Sequence, residues 1–343
     1  MIIKREKFKN KASILGLFTL ILVFSSMLFL SSCGDREKSL NVPEDTGDTK
    51  EKIKVVASIF PLYEFSREVG GDQAEVTLLL PAGLSPHSFE PTPKDIQTIE
   101  GADIFVFNGA GMEPWLENIL SGIDNSDLIV VDASIGITPL VVSDKHGGHD
   151  VHDEHEGEKH ENHEHPGGID PHFWLDFTNA KIQVDNVLKA YREADPGNSA
   201  LYEERAKAYS GKLAELDVLY KDAFTDCGAK DIASSGHFAF GYMARRYGLG
   251  YHSVFGVSHD AEPSPKELSE MVQIIKDKGI KYIFAEELLD PRMAKTIKEE
   301  TGAEILIVNP AGNVQLKALE SGISFIDIMK DNLEKFKMGI ECK

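Results

Sequence analysis

Cysteine is scarce, with three among 343 residues. That is too few for a disulfide-built scaffold or a Cys-rich zinc module. A basic surplus is also missing: Lys and Arg total 36 against 56 Asp and Glu, a formal net charge of -20. This argues against a nucleic-acid partner, which needs a cationic face to displace phosphate counterions. The HExxH signature of helical metalloproteases does not occur. No residue-level internal repeat is visible. What is present is ordinary globular composition, 42% hydrophobic and 27% charged. The length suits two packed domains of roughly 150 residues each.

The first residues read as an address. Lys4, Arg5, Lys7, Lys9 and Lys11 stand against one acid, Glu6, and an uncharged, mostly apolar run follows from Ala12 to Ser32. A basic start plus an apolar stretch predicts a signal peptide over 1–32. The run ends Leu-Ser-Ser-Cys at Cys33, which resembles a bacterial lipobox, so Cys33 is the expected lipidation site. An uncleaved membrane anchor is the alternative. Both readings put the rest of the chain outside the cytoplasm. Residues 33–52, polar and acid-rich, read as a flexible tether.

Beyond the tether, strand-length apolar runs begin at Lys54, Glu75, Asp103 and Leu128, with helix-like segments near 61–70, 93–101 and 113–122. Short buried strands alternating with helices predict a parallel sheet in an α/β lobe over 53–177. A helical segment, 178–226, follows. Its first helix runs from Thr178, a plausible cap, to Ala194. Its second, 199–224, carries apolar positions Leu201, Ala208, Leu213, Leu216 and Leu219 and reads as a strut between lobes. A second α/β lobe is expected over 227–343, with strand runs at Asp231, Tyr251, Lys281 and Glu304. Its helices are expected at 238–247, 264–278, 290–301 and 321–336.

The twelve histidines are of two kinds. Seven lie close together: His146, His149, His152, His155, His160, His163 and His165, interleaved with seven acids. Glycines and Pro166 deny this stretch a stable helix, so a disordered loop over 143–168 is expected. Imidazole and carboxylate on a mobile chain make a weak, multi-site chelator of cations such as zinc. The other kind is dispersed. His87 and His237 each follow a strand, and Glu286 ends one; ligands of open α/β sheets bind at the carboxyl ends of strands. His172 lies in DPHFWLD, ahead of the helical segment. Three imidazoles and a carboxylate converging from two lobes would form a tetrahedral set suited to zinc.

An ordered series of segments resembles the solute-binding lipoproteins of zinc and manganese ABC transporters, often called cluster 9 or A-I. It runs SIFPLYEFSREVGGD from Ser58, LLPAGLSPHSFEPTPKD from Leu79, NGAGMEPWLE from Asn108, the His-rich insert, and DPHFWLD from Asp170. It continues with SSGHFAFGYMARRYGL from Ser234, DAEPSPKEL from Asp260 and IFAEELLDPRMAKTIKEETGA from Ile283. The resemblance implies two lobes, each a four-stranded parallel sheet flanked by helices, joined by one long rigid helix. It implies metal ligands at His87, His172 and His237, with Glu286 fourth and Asp290 or water as alternatives. Asp176 and Glu90 are candidates to orient the imidazoles. Trp174 and Phe238 would wall the site. A third imidazole at His237 and the His-rich insert favour Zn2+ over Mn2+, since manganese members commonly use a carboxylate there.

The implied function is extracytoplasmic capture of Zn2+ and its delivery to the permease subunits and ATPase of an ABC transporter. The protein is expected to be a monomer and not an enzyme, tied to the bilayer through Cys33. A manganese-binding member and a surface adhesin are the alternatives, and a zinc hydrolase is the rival of a different class. His252 reads as structural or exposed, and His259 as a surface residue or an accessory metal contact. Cys227 and Cys342 can pair and pin the C-terminus to the second lobe, or stay free thiols.

Overall fold

The computed structural model describes residues 51–142, 168–257 and 263–343. Cys33, the seven clustered histidines and His259 lie outside the described residues. The first lobe lays down β1 (Ile53–Ala57), α1 (Phe60–Gly70), β2 (Ala74–Leu78), α2 (Pro93–Glu100), β3 (Ile104–Phe107), α3 (Leu116–Gly122) and β4 (Ile129–Asp132). Its four strands are parallel in the order β2-β1-β3-β4. All four residues of β3 are buried, as a central strand covered on both faces requires.

Two helices lead to the second lobe, α4 (Phe177–Ala194) and α5 (Ser199–Ala223). The second lobe then repeats the plan with β5 (Asp231–Ser234), α6 (Gly241–Tyr247), β6 (Gly250–Ser253) and α7 (Pro265–Lys278). It closes with β7 (Tyr282–Glu286), α8 (Arg292–Thr301), β8 (Glu304–Val308), α9 (Leu316–Glu320) and α10 (Phe325–Gly339). The order β6-β5-β7-β8 is again all parallel and matches the first sheet position for position.

Helix α5 touches α1 of the first lobe, α4 and α10 of the second. Its buried stripe is Tyr202, Ala206, Tyr209, Leu213, Leu216 and Tyr220, a 4-3-4-3-4 spacing that holds one face inward. The sequence reading followed aliphatic residues and missed the tyrosines. Ala208 and Leu219, expected inside, are exposed. Helix α4 is capped by Asp176, whose Oδ1 accepts from Thr178 N at 2.8 Å, and not by Thr178 itself. The helix expected at 321–336 starts later, as α10, and the short α9 precedes it. Gly322 turns the chain at φ 74°, and a Ser324–Asp327 capping box restarts it.

One feature ties the second lobe to the first, and another closes the second lobe on itself. Residues 309–314, beyond β8, cross back to the first lobe: Gly83 N donates to Val314 O (2.9 Å), Asn313 Nδ2 to Pro81 O and Leu84 O (both 2.8 Å). Cys227 and Cys342 form a disulfide, flanked by Gly228 N donating to Glu341 O at 3.1 Å. One large core runs through the first lobe, α4, α5 and the inner face of the second sheet. The outer face of that sheet has its own small core, Met271, Ile275, Ile283, Ala294 and Ile297 among it, under α7 and α8.

Candidate metal centre

His87 sits on a short 3-10 turn, Pro86–Ser88, in the loop after β2. Pro86 presets the turn, and His87 N donates to Ser85 Oγ at 3.3 Å. Its side chain is half-buried, whereas His172 and His237 are buried. His172 begins the 3-10 turn Phe173–Leu175 that leads into α4. His237 lies in the loop after β5, with its carbonyl accepting from Tyr251 Oη at 3.0 Å.

The three imidazoles meet through Nε2. His172 Nε2 is 2.9 Å from His237 Nε2 and 3.2 Å from His87 Nε2. The far side of two rings is fixed by carboxylates. Asp170 Oδ1 is 2.7 Å from His172 Nδ1, and Glu286 Oε1 is 2.8 Å from His237 Nδ1. A carboxylate at that distance accepts a hydrogen bond from Nδ1–H, which favours the neutral tautomer with its lone pair at Nε2. The His172 and His237 lone pairs then face each other at 2.9 Å. Two unprotonated nitrogens so close repel unless a proton or a metal cation lies between them. Bonds of about 2.0–2.1 Å from one zinc would set tetrahedral nitrogens roughly 3.4 Å apart, so a small outward relaxation seats the ion.

Both carboxylates are anchored by backbone as well as ring. Asp170 Oδ1 accepts from His172 N at 2.9 Å, an Asx turn closed over Pro171. Glu286 Oε1 accepts from His237 N at 2.8 Å. Gly236 makes that approach possible, because a Cβ there would lie 1.9 Å from Glu286 Oε1. Burial pushes the Asp170 carboxyl up to about 8, opposed by the His172 N–H and the charges of His237 and Arg245. A divalent cation acts in the same direction as those opposing charges and keeps Asp170 ionised.

The other predicted residues fall as follows. Among the described residues, the group with ligand atoms within 4.8 Å of one another is His87, His172 and His237. Glu286, expected as a fourth ligand, places Oε1 behind His237, held there by two N–H donors. Asp290 is exposed on the α8 cap, where Arg292 N (2.9 Å) and Nε (2.8 Å) hold its carboxyl below the usual range. Asp176, expected to orient an imidazole, caps α4 and pairs with Arg246 at 3.3 Å; the intervening 3-10 turn carries it away from His172. Glu90 is exposed. Trp174 and Phe238 are buried: Trp174 stands 5.4 Å from the His172 ring and donates Nε1 to Pro310 O at 2.7 Å. Leu288, Leu289 and Pro310 line the cavity over the histidines. His252 is on β6 with Nε2 2.8 Å from Asp231, away from the site.

Sequence reasoning missed Asp170 and Gly236. The Asp-Pro-His run carried the signal for the first, since an aspartate before proline readily accepts from the N–H two residues on. Nothing local signals Gly236, because its neighbour Glu286 is distant in sequence.

Residues 55–339 match the family model described as zinc-uptake complex component A, periplasmic (ZnuA). The high-affinity zinc uptake system protein ZnuA of Bacillus subtilis is 34% identical, over 96% of this chain and 98% of its own length. The zinc-binding protein AdcA of Streptococcus pyogenes is 35% identical over 84% of this chain; that stretch is 56% of AdcA. The crystal structure of the Zn(II)-bound ZnuA-like domain of Streptococcus pneumoniae AdcA superposes with a TM-score of 0.69 at 30% identity, over 84% of this chain and 99% of that domain. With its paired four-stranded sheets and convergent histidines, the chain belongs to the ZnuA family of solute-binding transport proteins.

Proposed function

We propose that this protein captures Zn2+ outside the cytoplasm at His87, His172 and His237 and hands it to the membrane subunits of an ABC uptake system. The observation that carries this reading is the meeting of the His172 and His237 Nε2 atoms at 2.9 Å, with each ring backed at Nδ1 by a buried carboxylate that favours an unprotonated Nε2. An all-imidazole set is softer than the oxygen-rich cage that manganese prefers, which favours zinc. Zinc is cargo in this reading, and the role is binding without catalysis, in keeping with the family of solute-binding transport proteins. The Cys227–Cys342 disulfide fits an oxidising compartment. The fourth position is filled by water or by a rearranged Glu286. Tethering through a lipidated Cys33 to the bilayer, a monomeric state and an accessory metal-collecting role for the histidines at 146–165 complete the reading.

The test is competition on the mature chain with equal zinc and manganese at near-equimolar protein. One tightly held zinc that is lost in His172→Ala is expected, with the clustered histidines adding only weaker sites. Manganese retained against zinc would overturn the metal assignment. Tight zinc that survives His172→Ala and disappears on deleting 146–165 would overturn the site.

A further inference from the structure

The described chain pauses at Val142 and resumes at Gly168, so the residues on either side form the neck of the His-rich insertion. Two direct rungs close this neck. Val142 N donates to Gly168 O at 3.0 Å, and Asp170 N donates to Leu140 O at 2.9 Å. In a regular antiparallel pair, the residues that share one rung exchange a second. Leu140 N should therefore donate to Asp170 O. Instead, Leu140 N donates to Tyr242 Oη at 2.8 Å, and Tyr242 Oη donates to Asp170 O at 3.1 Å. A hydroxyl from the second lobe stands in for the missing rung.

Asp170 is therefore held at its carbonyl by Tyr242, at its N–H by Leu140, and at its carboxylate by His172. The start of α6 also presses on it. A Cβ on Gly241 would lie 2.9 Å from Asp170 Oδ2. Tyr242 itself is fully buried and packs edge-on against Phe173, ring centroids 5.5 Å apart, next to His172. Arg245 covers the Tyr242 ring at 5.1 Å.

From this geometry we infer that Tyr242 is a positioning residue for the metal centre: its hydroxyl clamps the neck and sets Asp170, which sets the tautomer and orientation of His172. The inference rests on the zinc-site reading above and goes beyond it. It makes the neck of the insertion and the alignment of His172 one mechanical unit, latched from the second lobe. Loss of the hydroxyl frees Leu140 N and Asp170 O while leaving the ring packing on Phe173 intact.

The experiment uses the full mature chain loaded with one equivalent of Co2+ and, separately, of zinc. The wild-type ligand-field bands that vanish in His172→Ala define the centre; their absence in wild type would sink the zinc-site reading itself. Given those bands, Tyr242→Phe is expected to shift or weaken them and to release zinc to a chelator about tenfold faster, the lower end of outer-shell effects. Asp170→Asn should act on the same path, so the double variant releases zinc no faster than the worse single one. Tyr242→Phe with unchanged bands and release within twofold of wild type would overturn the inference, even if its melting temperature fell. A second reading needs no variant. Amide exchange at Leu140 and Asp170 should slow together when one zinc binds, and exchange unchanged by zinc at both amides counts against the latch.

Discussion

The two sheets share one topology, and each carries a buried carboxylate at the point where strand order reverses. In the first sheet, between β1 and β3, Glu113 accepts from Ser58 Oγ (2.6 Å), Asn108 N (2.8 Å) and Gly109 N (3.0 Å). In the second, between β5 and β7, Glu286 accepts from His237 N and Nδ1. Such crevices are where open α/β sheets bind ligands. The first lobe fills its crevice with its own side chain and satisfies loop amides. The second uses the same device to hold an imidazole. The difference lies in the clients: a serine hydroxyl and two loop amides for Glu113, an imidazole with its own backbone N–H for Glu286. The first lobe's member of the histidine cluster comes from elsewhere, His87 in the loop after edge strand β2.

The contrast can be broken at several strengths. His237→Ala removes the client and one ligand; spread over four ligands, the zinc energies of small domains come to roughly 3 kcal/mol each, so affinity should fall on the order of a hundredfold by competition titration. Exchanging the carboxylates tests the contrast directly. Glu286→Ala should weaken zinc about 10- to 100-fold. Glu113→Ala should leave zinc affinity within about twofold while lowering unfolding free energy by roughly 2 kcal/mol, because buried amides lose their acceptor. Equal losses of zinc affinity in both variants would erase the distinction.

Glu113 also predicts a pH signature. Burial pushes its pKa from 4.5 up to about 7, so the native state binds the proton more tightly than the unfolded chain. Its contribution is most favourable below pH 4.5 and is lost as pH rises through about 7. Chemical denaturation at pH 5 and pH 8 should show wild type losing stability relative to Glu113→Gln across that window, by up to roughly 3 kcal/mol. A parallel course for both proteins would remove Glu113 as the titrating group. The smallest effect is expected from Asp290→Ala. That residue is exposed and committed to Arg292, so zinc affinity should stay within about twofold of wild type.

Much of this architecture was legible because buried parallel strands are written as short Val, Ile and Phe runs, as in β1, β3 and β7. The three histidines were legible through their places after strands and through motif order. Side-chain direction was not. Whether Glu286 faces a metal or the back of His237 depends on Gly236, and no spacing rule links them. Asp176 was a candidate because it lies four residues after His172, but the turn there is 3-10, and the carboxylate that meets the ring is Asp170, two residues before it. The face of α5 was misread because tyrosine was not counted among its buried residues, although Tyr202, Tyr209 and Tyr220 are its largest.

The Cys227–Cys342 bridge joins residues 115 apart and lies at the two ends of the second lobe. All four strands from β5 to β8 therefore sit within one covalent ring, while the first sheet, α4 and the whole of α5 hang from it as an open chain. Closing a loop of that length restricts the unfolded chain by roughly 5 kcal/mol in the loop-entropy view. A peptide bond cut inside the ring opens it without dividing the molecule. A nicked second lobe keeps both halves of its sheet and migrates as one species until the bridge is reduced, whereas the same cut in the first lobe releases a fragment to any denaturant.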